Sequence, residues 1–221
     1  MMIEQLINLW PELNKSFIET LIMVGIGLGV AVIAGLPLGL LLFVTDRDLF
    51  LENKWIKGAV GIFVNLVRSI PFIILLVFLF PFTNFLLGTT TGPIAASVAL
   101  SAAAIPFYAR IVESSARDID KGVIEAAIAC GASPWLIIKD IIFPEIKPGL
   151  ISGLTITAIS LIGYSAMAGA IGGGGIGDLA IRYGYYRYDN FVMFTTVIVL
   201  IVLVQVVQYA GDFLAKTVKK S

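Results

Sequence analysis

Histidine is absent from this 221-residue chain, and cysteine occurs once, at Cys130. That removes the commonest zinc ligand and any intrachain disulfide, and no set of residues suggests a metal site. Two glycine-rich stretches could hold a phosphate. Gly172-Gly173-Gly174-Gly175-Ile176-Gly177 has the composition of a cradle, but no Lys-Ser or Lys-Thr follows it. Gly25-Ile26-Gly27 has no preceding strand and lies inside an apolar run. No Walker A sequence occurs anywhere, so the chain offers no site of that kind for ATP and magnesium. Thr157, Ser160, Tyr164 and Met167, at spacings of three, four and three, share one helix face. Small polar groups and a thioether could line a path for a small amphipathic solute. Ser and Thr also serve as ordinary glue between helices, which is the favoured reading.

Composition decides which elements can hold these residues. Apolar residues make up 58% of the chain and charged residues 14%, against about 45–50% and about 25% in soluble domains. Mean hydropathy is +0.97. Fifteen basic and fifteen acidic side chains cancel. A disordered chain, a basic nucleic-acid binder and an ordinary soluble enzyme are excluded. The expectation is an all-α, polytopic membrane helical bundle.

Charge-free stretches run over Thr20–Thr45, Ser69–Ala109, Pro148–Gly177 and Asn190–Gly211. The second has 41 residues, about twice what one span needs. It divides at the polar turn Thr89-Thr90-Thr91-Gly92-Pro93. Five transmembrane helices follow, over about 20–45, 69–88, 92–109, 148–170 and 190–211. Gly58–Val67 is apolar but closed by Arg68, so an interfacial helix is preferred over a longer second span with Arg68 turned inward. Residues 1–15 form an external segment, a short surface helix with Trp10 as its anchor, and 212–221 a tail. Five spans put the termini on opposite sides. Twelve of the fifteen cations fall on one side, Lys220 among them, and only Lys15, Arg182 and Arg187 on the other. The N-terminus is therefore expected outside and the C-terminus in the cytoplasm.

No acid or base lies securely within a span, which argues against a proton relay or an ion-coupled carrier. Gly25, Gly29, Gly35 and Gly39 allow close helix approach, within the chain or across a dimer. The run Gly172–Gly177 reads as a flexible external loop. Tyr183, Tyr185, Tyr186 and Tyr188 read as an interfacial belt, with a docking surface as the lesser alternative.

The cytoplasmic loop 110–147 holds many apolar residues and, between Gly122 and Ile138, a single charge, Glu125. One short helix is predicted over Lys121–Cys130, stopped by Gly131. A second begins at Ser133-Pro134 and ends before Pro144. Composition leaves self-packing and docking on another protein nearly balanced.

Glu125-Ala126-Ala127, then Gly131, then Ile141-Ile142-Phe143-Pro144 resemble the EAA loop of permease subunits of bacterial ABC importers; Phe143 stands where leucine is usual. Arg68–Ile73, Ala109–Glu113, Gly163–Met167 and Gly211-Asp212 are similar to the methionine-importer subfamily. The resemblance implies a type I ABC importer transmembrane domain over 16–211 in the bacterial cytoplasmic membrane. It implies a non-catalytic homodimer that works with two ATP-binding subunits and an external methionine-binding lipoprotein. ATP and magnesium belong to the partner ATPase, and no cofactor is expected in this chain. Glu125, Ala126, Ala127, Gly131, Ala132 and Ser133 would form the docking, or coupling, helix. Thr157, Ser160, Tyr164 and Met167 remain candidates for the path. Another small amino acid, or a related solute, is the alternative substrate, and a non-transporting membrane scaffold the alternative role.

Overall fold

A computed structural model describes residues 2–219, with side chains from residue 5; Met1, Lys220 and Ser221, at the ends of the expected outer segment and tail, lie outside the described residues. The described residues are helical with short connections. α1 (Met2–Val30) continues through a π-helical turn, Ala31–Gly35, into α2 (Leu36–Val44). There follow α3 (Lys54–Ser69), α4 (Phe72–Phe78), α5 (Phe80–Leu87), α6 (Pro93–Arg117) and α7 (Lys121–Ala129). The short α8 (Pro134–Leu136) passes through π-helical Ile137–Ile142 into α9 (Phe143–Gly169). α10 (Gly175–Leu179) passes through a third π turn, Ala180–Tyr185, and α11 (Asn190–Lys219) closes the chain.

Among the described residues, four continuous helical stretches are long and apolar enough to cross a membrane: Gln5–Val44, Pro93–Arg117, Pro134–Gly169 and Asn190–Lys219. A fifth is obtained when α3 and α4 are counted together, although the chain bends there by 103°. The break falls at Pro71, whose ring disfavours a helical residue before it. The stretch expected as one span over 69–88 is thus two short helices, interrupted again at Leu79 just before Pro81.

Three other expectations change. The outer segment is not a helix of its own: α1 runs unbroken through Pro11, because Leu9 and Leu13 are buried with Leu179 and Val192. Pro144 does not end the second loop helix, which continues to Gly169. Two of the π turns end two residues before a proline, Pro37 and Pro144, where a missing N–H already interrupts the regular ladder. α11 extends through the expected tail as far as Lys219.

The chain forms two compact units. One contains the residues up to Gly29 together with Ile70–Ala103 and Ala158–Gln208. Its glycine-rich turn is ordered and not the flexible loop expected. Gly175 N–H donates to the Glu19 carboxylate at 2.8 Å, and Ile176 N–H to the Thr20 hydroxyl at 3.0 Å. Gly174 and Gly175 have φ of +78° and +81°, and Gly177 lies so close to Ala166 that no side chain fits between them. The glycines serve packing here.

The other unit contains Val30–Ser69, Ala104–Thr157 and the residues from Tyr209 onward. Gly35 and Gly39 lie against the α6 backbone at Ile105 and Ala109, while Gly153 lies against Ile111 and Tyr108. Gly35 and Gly39 therefore serve packing within the chain. Gly25 and Gly29 face open space.

Candidate functional site

α7 is a nine-residue helix, too short to persist in water without help. Its help comes from its ends. The Asp120 side chain accepts from Gly122 N–H at 2.8 Å, an N-cap. At the other end Gly131 adopts φ +79°, and its N–H and that of Ala132 donate to the carbonyls of Ile128 and Ala127. That is a left-handed glycine stop. Ser133 Oγ then caps the next helix by accepting from Leu136 N–H at 3.3 Å, with Pro134 in its first turn.

The segment Glu125, Ala126, Ala127, Gly131, Ala132, Ser133 is thereby one capped helix and turn, as the spacing suggests. Only Ile124 of α7 is buried. Glu125, Ala126, Gly131 and Ser133 are exposed, and Ala127 and Ala132 half-buried. Val123, Ile128, Trp135 and Leu136 are also exposed. A short helix with small residues and uncovered apolar side chains fits a groove in a partner better than open water.

Just before α7 lies a charge cluster that the sequence did not reveal. Glu113, 2% exposed, accepts from Lys57 at 2.5 Å, from Arg110 at 2.5 Å and from Arg117 at 3.1 Å. Lys57 also donates to the Leu42 carbonyl at 2.7 Å and pairs with Asp46 at 3.2 Å; Arg117 bonds Asp46 as well. Arg110 reaches Asn65 at 2.7 Å. Burial raises the Asp46 pKa, but the Arg47 N–H, Lys57 and Arg117 outweigh it and hold the carboxyl below its ordinary value. The end of α2, the loop after it, α3 and the last turns of α6 are joined through one buried carboxylate. The sequence shows Arg110, Glu113 and Arg117 on a common helix face, but not that Lys57 and Asp46 come to it.

The four candidate path residues share α9 but not one environment. Thr157, 1% exposed, donates to the Gly153 carbonyl at 2.7 Å and turns away from the free face of its helix. Ser160 is half-buried. The Tyr164 ring stacks on Phe72, with centroids 4.5 Å apart and planes within 6°. Met167 is 49% exposed. Towards its C-terminal end α9 is exposed at Gly163 and Met167. Beside it, Gly163 and Ala166 line an apolar groove of about 330 Å³ with Leu200 and Val204 of α11. The groove is lined by no acid or base.

Long apolar helices with a capped, exposed loop helix between two of them define a multi-pass membrane protein. The chain belongs to the family of binding-protein-dependent transport system inner membrane components, whose model matches residues 27–220. It is 44% identical over 214 residues to the probable D-methionine transport system permease protein MetI of Vibrio cholerae, covering 95% of each chain. It is 46% identical over 180 residues, 81% of each chain, to the methionine import system permease protein MetP of Bacillus subtilis. A solved structure of the MetNI methionine ABC transporter in inward-facing conformations superposes with a TM-score of 0.93 at 43% identity, covering 96% of this chain and 98% of that one. An amino acid ABC transporter structure matches at TM-score 0.79 and 18% identity, which shows the shared fold. The fold is that of a type I ABC importer transmembrane domain.

Proposed function

We propose that this chain is the membrane-spanning permease of an ATP-driven methionine importer. Two copies form the path, and two ATP-binding subunits dock from the cytoplasm against α7, where Glu125, Ala126, Ala127, Gly131, Ala132 and Ser133 meet a groove of each ATPase. ATP and magnesium are bound and hydrolysed on those subunits, and none of the chemistry falls to this chain. An external methionine-binding lipoprotein hands over the substrate on the far side. The amino terminus lies outside and the carboxyl terminus inside, so that α7 and most of the cations face the cytoplasm.

The observation that carries this reading is a doubly capped α7 that leaves all its side chains but Ile124 and Ala127 exposed, in a chain similar along nearly its whole length to methionine permeases. The caps matter because a helix that frays cannot pass a displacement on to the helices it joins. Closure of the paired ATPases would then favour one arrangement of the spans over another, through contacts that differ between the two states. Ser160, Tyr164 and Met167 are the path candidates on α9. Thr157 would join them only through a change of conformation.

Co-purification tests the docking step. A Glu125→Lys chain, co-expressed with the ATPase from the same organism, is expected to lose most of the ATPase while remaining folded in detergent. Full recovery of a stoichiometric complex would remove α7 as the docking helix.

A further inference from the structure

α3 has two faces with different fates. Lys57, Val60, Gly61, Val64 and Val67 point inward: Val64 is fully buried, Lys57 reaches Glu113, and Gly61 lies beside Arg110. Trp55, Ala59, Ile62, Phe63 and Leu66, at spacings that return to one side of a helix, point outward and are exposed, Trp55 at 88%. Lys54 and Arg68 are fourteen residues apart, close to a whole number of turns, so they share one edge beside the outward face. No acid lies on α3, and no carboxylate pairs with Lys54 or Arg68 among the described residues. Glu52, the nearest acid in sequence to Lys54, accepts from Asp48 N–H. Lys57, the remaining cation of the helix, is neutralised inward by Glu113 and Asp46.

We infer that α3 lies in the membrane interface and holds anionic phospholipid there, with the acyl region against Trp55, Ile62, Phe63 and Leu66 and head groups at Lys54 and Arg68. A tryptophan, large aliphatic side chains and a cationic edge on one short helix are the combination that binds at the head-group boundary. Charge selects the occupant. A second copy of α3 related by a two-fold axis would bring the same acid-free, cationic edge to the contact, with no counter-charge on either helix. Anionic head groups supply that counter-charge. The inference rests on the reading of the chain as a multi-pass membrane protein and is independent of what it transports.

Quenching of Trp55 tests it in the full chain. Trp10→Phe and Trp135→Phe leave Trp55 as the sole tryptophan. The protein is placed in nanodiscs containing a small fraction of phosphatidylglycerol or phosphatidylcholine brominated near the head-group end of the acyl chain. Brominated phosphatidylglycerol should quench at lower mole fraction, by about five-fold in apparent affinity for each cation. Lys54→Gln with Arg68→Gln should bring the two lipids together without removing quenching. Equal quenching by both lipids in the parent chain would overturn the head-group selection. No quenching by either would show that protein, not lipid, covers the face. Neither result touches the transport reading, which is measured by uptake.

Discussion

Lys57 and Glu113 are 56 positions apart in the chain, and their side chains meet at 2.5 Å. The contact fixes the start of α3 to the last turns of α6, about one turn before the loop that leads into α7. An isolated buried carboxylate is very costly, so the cluster stands only because three cations and their hydrogen bonds answer it. It ties the end of α2, the loop after it, α3 and α6 together within one unit.

Glu113→Gln leaves Lys57, Arg110 and Arg117 crowded around a neutral amide. A loss of about 3–5 kcal/mol is expected, as for breaking a buried pair on one side. Lys57→Met alone should cost less, because Arg110 and Arg117 still answer Glu113. The double variant should be milder than the two losses added, and thermal unfolding in detergent reads all three. Additive losses would mean that the two side chains do not interact.

Asp46 gives the cluster a pH dependence of known sign. Its folded pKa lies below the ordinary 3.8, so its stabilisation is fully present above that value and is lost as pH falls through the folded one. The stability difference between the parent chain and Asp46→Asn should be constant from neutral pH down to about 5 and shrink below about 4. A difference that first disappears near pH 7 would point to another group.

Gly39 and Gly29 form a matched pair of tests. A Cβ at Gly39 would press on the Ala109 carbonyl and on Val112, whereas one at Gly29 meets open space. Gly39→Ala should destabilise by about 1–3 kcal/mol as overpacking. Gly29→Ala should be neutral, or stabilise slightly through helix propensity. Unfolding midpoints that change alike at both sites would contradict the packing described.

Accessibility separates the residues of the candidate path. In a Cys130→Ser background, needed because the native thiol is exposed, a water-soluble maleimide should label Met167→Cys well before Thr157→Cys. Equal labelling in the nucleotide-free state would mean that Thr157 is not buried as found.

What could be read from the residues follows from how local each cause is. The α7 segment was legible because its limits are set by neighbours: Gly131, Ser133 and Pro134 act over one turn. Four of the apolar stretches were legible as long helices, whereas the one expected over 69–88 is broken at Pro71 and Leu79. The Glu113 cluster was not, because Lys57 and Asp46 approach it only after α2, α3 and α6 have packed. The path through Pro144 was missed because proline is a stop signal locally, and the π turn before it carries the helix on. The glycine run read as mobile because glycine supplies freedom by itself; only Glu19, Thr20 and Ala166 reveal that freedom spent on close contact. Thr157 and Met167 share a pattern of spacing, but burial divides them.

Transport of methionine is proposed for this chain together with its partners. Uptake of labelled methionine into proteoliposomes tests it, with the permease, its cognate ATPase and the binding protein present together and each omitted in turn. ATP-dependent uptake is expected to need all three components, to be competed by unlabelled methionine and to fall sharply with Glu125→Lys. ATP-dependent uptake of a different solute, with methionine neither carried nor competing, would contradict the substrate. A well-formed complex that carries nothing on ATP would contradict the permease reading itself.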